Sequence, residues 1–148
     1  MKVVIADASC LILFTNIDHL DVLEKLFSEI WITSKVQEEY GLPLPALLAV
    51  HDPKDTEGQK ALSQILDEGE ASSIALAVEN PGSQIIIDEK KGRSIALSMG
   101  LDVTGTLGVL IEASNRGLIQ LDRSLADDLD RVGFRLSSTL KERLLRGN

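Results

Sequence analysis

The sequence predicts an α/β fold, with a mostly parallel sheet carrying helices on both faces, and three observations predict it. Short apolar runs alternate with segments of helical periodicity, the pattern of successive βαβ units. The runs are continuously apolar, as in Ile85-Ile86-Ile87, which suits strands buried on both sides. Two of them, Ile5-Ala6-Asp7 and Ile86-Ile87-Asp88, end directly in an acid. Open sheets of this kind bind their ligands outside the carboxyl ends of the strands.

The elements follow in order. Val3-Val4-Ile5-Ala6 predicts the first buried strand. Leu20, Leu23, Phe27 and Ile30 recur at helical spacing, broadened by Val22 and Leu26, with Asp21, Glu24, Lys25 and Glu29 mostly between them. That is an amphipathic helix. Trp31-Ile32-Thr33 predicts a second strand, and Ser34 followed by Gln37 fits a capping box opening a helix over 35–40. Gly41, Pro43, Pro45, Pro53 and Gly58 make 41–58 rich in loops, with a small edge strand over 47–50. Ala61, Leu62, Ile65 and Leu66 predict a helix that stops at Gly69. A new one opens at Glu70, carries Ile74, Ala75 and Val78, and ends at Asn80-Pro81-Gly82. Ile85-Ile86-Ile87 is a strand, 93–99 a helix closing at Gly100, and Val103-Thr104 another strand. A helix over 106–116 ends at Gly117, and Leu125, Leu129 and Val132 mark one more. Residues 134–136 read as extended, and a last helix starts near Thr139. With no linker and no repeat, one domain over 1–148 is expected.

Composition narrows the class. A chain of 148 residues with 44% hydrophobic residues builds a core without staples. The net charge of −8 argues against a general coat for nucleic acid, which needs a basic face, but not against a local grip on phosphodiester. Cys10 is the one cysteine, so no internal disulfide or Cys-rich zinc site forms. In its apolar segment it reads as a small core residue. His19 and His51 lack partners at ligand spacing. Few rings are available, so base-stacking sheets of the RRM type are not expected. No apolar run reaches about 18 residues, and Asp7 interrupts the opening stretch. A soluble cytoplasmic protein is expected.

The acids carry the functional reading. Asp7 and Asp88 end strands that, if parallel and central, emerge on one sheet edge. Glu70 follows Gly69 at a helix start, Glu39 lies one turn into the helix after Trp31-Ile32-Thr33, and Glu89 adjoins Asp88. Singly, each has a plain role: a helix-dipole partner, a turn, a cap, an exposed face. Together they conflict, because two carboxylates about 4 Å apart repel by ~4 kcal/mol even at an effective dielectric of 20. No Lys or Arg adjoins Asp7 in sequence, so a divalent cation is the natural partner. Ligands that are all oxygen select Mg2+ or Mn2+. Such a centre suits phosphodiester hydrolysis. Asp88 directly follows its strand and ranks ahead of Glu89. Lys90, Lys91 and Arg93 come next in the chain as phosphate contacts. Thr104, Gly105 and Thr106 offer hydroxyls and N–H groups at a helix start, for phosphate binding or for ordinary N-capping.

These segments also resemble a known family. Val3-Val4-Ile5-Ala6-Asp7-Ala8-Ser9 is similar to the opening strand of PIN domains, and Val36-Gln37-Glu38-Glu39 to their V-x-x-E motif. Gly69-Glu70-Ala71, Ile87-Asp88-Glu89-Lys90-Lys91-Gly92-Arg93 and the stretch from Gly100 to Gly108 resemble a prokaryotic PIN-like subfamily, DUF3368, described as nucleic-acid-binding or as VapC-like toxins. The resemblance runs from about residue 3 to 145. It implies a PIN-like three-layer α/β/α fold and a Mg2+- or Mn2+-dependent RNA endonuclease, the toxin of a toxin–antitoxin pair. It implies Asp7, Glu39, Glu70 and Asp88 as the acidic quartet, with Ser9 as the hydroxyl supporting the first Asp. The alternative T-x-D alignment of the fourth motif puts Glu89 in that place. RNA, a small antitoxin protein and a second copy of the chain are the partners implied. The competing reading is a catalytically silent PIN-like module that binds RNA or protein. A phosphotransfer enzyme of the haloacid-dehalogenase type wants D-x-D at the first strand, where this chain has Asp7-Ala8-Ser9.

Overall fold

The computed structural model describes residues 3–27, 29–134, 136–139 and 141–142. Five parallel strands form one sheet: β1 (Val4–Ala6), β2 (Ile30–Ile32), β3 (Leu48–Val50), β4 (Gln84–Ile86) and β5 (Asp102–Thr104), in the order β3-β2-β1-β4-β5. The helices are α1 (Ala8–Asn16), α2 (Leu20–Leu26), α3 (Ser34–Tyr40), α4 (Thr56–Ser63), α5 (Glu68–Glu79), α6 (Lys90–Ser98), α7 (Thr106–Asn115) and α8 (Arg123–Arg131).

The pleat divides the core in two. Val4, Ala6 and Ile86 point to one face, where α1, α2, α7 and α8 bury Leu11, Phe14, Leu23, Leu110 and Leu129. Ile5, Ile85 and Ile87 point to the other, against Ile74 and Leu76 of α5 and Ala96 of α6. This is the alternation of a strand covered on both sides. The three-layer α/β/α arrangement expected from the sequence is therefore present.

Strand order decides where a site forms. From β1 the chain steps to β2 and β3 on one side, then crosses to β4 and β5 on the other. The order reverses between β1 and β4, and such a switch point leaves a crevice outside the carboxyl ends. Asp7 and Asp88 flank that crevice.

Local differences from the sequence reading have physical causes. The amphipathic stripe from Leu20 ends at Leu26. Phe27 is already extended, and Ile30 pairs into β2 beside Val4 and Leu48, so sheet pairing overrides the helical period. Residues 8–16, legible only as apolar core, form α1, whose exposed face of Ser9, Ile12 and Asn16 is broken by the apolar Ile12 and so shows no clear polar stripe. Thr33, not Ser34, caps α3, accepting from Val36 N at 3.2 Å, while Ser34 turns to Asp52. Gly69 does not stop a helix. It lies inside α5, whose N-cap is Asp67. Helix α6 starts at Lys90 rather than Arg93. The extended stretch expected over 134–136 includes Arg135, and the last expected helix runs beyond 142. Both lie partly outside the described residues.

Candidate functional site

At the switch point, a pocket of about 50 Å³ is lined by Asp7, Ala8, Ser9, Val36, Glu39, Asp67, Gly69, Glu70 and Glu89. That space is on the scale of one or two water molecules, at ~30 Å³ each.

Each acid reaches it by a different local device. Asp7 ends β1 and caps α1, accepting from Cys10 N at 3.0 Å. Glu39 projects from α3 toward the first turn of α5. A brace sets that spacing: Thr33 Oγ1 meets Ser72 Oγ at 2.7 Å, and Ser72 donates to the Gly69 carbonyl. Glu70 sits in the first turn of α5, its N–H donating to Asp67 Oδ1 at 2.8 Å. Glu89 is the N-cap of α6 but makes no capping bond with its side chain, which lines the pocket instead. Two glycines make room. A Cβ at Gly69 would collide with the Glu39 carboxylate, and one at Gly92 with that of Glu70.

Asp88 is placed differently. Its carboxylate accepts from Thr106 N at 2.7 Å and from Thr106 Oγ1 at 2.5 Å. Its side chain is therefore tied to the start of α7, while Glu89 faces Asp67 and Glu70. Ser9 is exposed at the pocket wall. Lys90 and Lys91 are exposed in the first turn of α6, and Arg93 lies beside Gly105. Thr104 lines another hollow, of about 740 Å³ between α2 and α7, where Glu24 and Glu112 are mixed with Lys25 and Arg116. Thr106 is not the N-cap of α7; Gly105 is. His51 stacks on Trp31 with ring centroids 3.9 Å apart, away from the acids.

Among the described residues, Asp67, Glu70 and Glu89 each offer an oxygen within 4.8 Å of the others. The sequence reading did not single out Asp67. Its signal was present: Asp67-Glu68-Gly69-Glu70 has the spacing of a capping box. The expectation that Gly69 ended a helix hid it.

The electrostatics follow from crowding. Burial pushes the Asp7 carboxyl up to about 7, with Asp88 and Glu39 adding to the rise against the N–H groups of Cys10 and Asp88. Glu70, only 7% exposed, is pushed up to about 8 by burial first, then by Asp67, Glu89 and Asp7. Glu39 is raised too, by burial and then by Asp67 and Glu68, against the pull of the Gly69 amide. Burial and neighbouring acids, not cations, dominate the surroundings of Asp7 and Glu70. The donors are carboxylate oxygens throughout, a set that fits a hard divalent ion such as Mg2+ or Mn2+.

A family model described as a PIN domain, DUF3368, matches residues 3–147. No curated protein matches the chain.

Proposed function

Because the chain belongs to the PIN-domain family, a nuclease-type fold, we propose that it is a divalent-metal-dependent RNA endonuclease. The observation that carries the reading is the convergence of Asp7, Glu39, Asp67, Glu70 and Glu89 on one pocket at the β1/β4 switch point. These residues would hold Mg2+ or Mn2+, with Asp88 supporting them from the rim. Bound there, the ion would supply an acidified water and neutralise charge on the scissile phosphate.

The rest is done by the chain. Asp7 is held at a fixed angle by the Cys10 N–H. Glu39 and Glu70 are set by the Thr33–Ser72 brace between their helices. Lys90, Lys91 and Arg93 follow Glu89 on α6 and would take the phosphates flanking the cleaved one, as an otherwise acidic chain requires. Ser9 presents a hydroxyl at the wall. The pocket is too small for a nucleotide, so the RNA would lie across its mouth and present only the scissile phosphate.

A cleavage assay on single-stranded RNA, with and without Mn2+, tests this. The native chain should cleave only with the ion, and Asp7→Asn should not cleave. No cleavage by the native chain, with either Mg2+ or Mn2+, would favour a silent RNA- or protein-binding module instead.

We further propose that residues 1–148 act as one PIN-like unit, in the cytoplasm, as the toxin of a toxin–antitoxin pair. Among the described residues no helix is long and apolar enough to cross a membrane. Growth arrest on expression, relieved by a small protein encoded beside it, is the expected result. A homodimer is the proposed assembly, since Val78 and Met99 stay about half exposed around one shared surface hollow, and Leu97 nearby in the chain is exposed too. Sedimentation at micromolar concentration checks it.

A further inference from the structure

Thr106 opens α7 with none of its surface exposed. A threonine at a helix start ordinarily serves the helix, accepting from an N–H of its first turn. Here the cap position belongs to Gly105, which has no side chain to offer. Thr106 directs both of its donors at one carboxylate: its N–H meets Asp88 Oδ1 and its hydroxyl meets Asp88 Oδ2. Two donors from one residue fix the rotation of a carboxylate as well as its position. Gly105 admits the arrangement. A Cβ there would stand 3.1 Å from Asp88 Oδ1 and 2.9 Å from Arg93 Nη1. Its φ of −114° is open to any residue, so space and not conformation calls for glycine.

Asp88 connects this clamp to the pocket. The β1–β4 ladder sets Ala6 opposite Ile86, so Asp7 and Asp88, one and two residues beyond that pair, leave neighbouring strands side by side at the carboxyl edge of the sheet. Cys10 closes the circuit: its N–H holds Asp7 Oδ1 at 3.0 Å, and its buried thiol lies against Thr106. Thr106, Asp88, Asp7 and Cys10 therefore form a ring across β1, β4 and α7. Side chains alternate along an extended chain. Turning Asp88 toward α7 thus turns its neighbour Glu89 the other way, toward Asp67 and Glu70.

We propose that Thr106 is a positioning residue for the acid pocket: by holding both oxygens of Asp88 it keeps Asp7 aligned and presents Glu89 to the metal. The proposal rests on reading the pocket as a metal site, but not on RNA being the substrate.

Mn2+ binding by calorimetry, with RNA cleavage measured alongside, tests it in Thr106→Val and Thr106→Ser. Valine keeps the shape and removes the hydroxyl; serine keeps the hydroxyl. Removing groups that orient metal ligands typically costs ~10–100-fold in affinity or activity. Thr106→Val should weaken Mn2+ binding by about tenfold or more, and Thr106→Ser should restore most of it. Native binding by a folded Thr106→Val protein, or a serine variant as weak as the valine one, overturns the proposal. If the valine variant does not fold, Asp88→Asn takes its place, and unchanged Mn2+ binding by that protein overturns it equally. Loss of Mn2+ binding in Thr106→Val, with a native chain that binds Mn2+ yet cuts no RNA, would sustain Thr106 and sink the ribonuclease reading. Native cleavage unaltered in Thr106→Val would do the reverse. A native chain that binds no Mn2+ overturns both.

Discussion

On the flank of the pocket built by α3 and α5, Glu39, Asp67 and Glu70 face one another and two glycines. On the flank built by β1, β4 and α7, Asp7 and Asp88 face N–H and hydroxyl donors. The first flank gives Asp67 a single N–H and leaves Glu70 crowded among other acids, while the second ties Asp88 down with two donors. A metal site needs both, since ligands must be rigid and must also lack a better partner than the ion. The glycines show what the first flank costs. Gly69 and Gly92 lie inside helices, where alanine is favoured by ~1 kcal/mol, yet a Cβ at either would strike a pocket carboxylate.

The largest expected effect is on the crowded flank. Glu70→Gln should fold, because loss of a helix-terminus charge costs under ~1 kcal/mol. RNA cleavage should drop by about 100-fold or more, since a neutral amide is a poor ligand for a hard cation. The metal-free variant should also melt higher than the native chain at neutral pH and above, because the native Glu70 must take up a proton on folding and an amide need not. Near-native cleavage would remove Glu70 from the site.

Next comes Gly92→Ala. Helix propensity alone predicts a gain of ~1 kcal/mol. The collision with Glu70 predicts instead no gain in melting temperature and cleavage lower by about tenfold, the equivalent of ~1.4 kcal/mol of barrier. A stabilised, fully active variant would show that Glu70 does not need that space.

Glu89 and Asp88 set the two flanks side by side. Mn2+ titrations should find Glu89→Gln at least as impaired as Asp88→Asn, since Glu89 faces the cluster directly. Sequence position alone ranks them the other way. The opposite result would make Asp88 the metal ligand and Glu89 a bystander.

The smallest effect is on stability against pH in the metal-free protein. Asp7 at about 7 and Glu70 at about 8 are raised above the values an unfolded chain gives them. A raised acid favours the folded state while it stays protonated, so its contribution is full below about pH 4 and is lost as pH rises through 7 to 8. Melting temperature in EDTA should fall across that window and then level off. Saturating Mg2+ should raise it at neutral pH through ligand linkage. A flat profile in EDTA would mean that the acids are not crowded in solution.

The sequence by itself determined the class of fold, because strands covered on both faces must be apolar throughout and helices between them must be striped. Asp7 and Asp88 were legible as strand-end acids, and the ordered motifs from Val3 to Gly108 carried the family. Tertiary structure alone decided three things. It made a helix of residues 8–16, where the apolar Ile12 stands on the exposed face and erases the stripe that sequence reasoning depends on. It added Asp67, which a glycine mistaken for a helix stop had concealed. It also separated two adjacent acids, sending Asp88 to Thr106 and Glu89 to the pocket. That choice depends on a donor 18 residues away from Asp88, and periodicity carries no record of contacts at such separation. Strand order did the rest: local patterns fix which segments are strands, but the long-range pairing of β1 with β4 fixes where their ends meet.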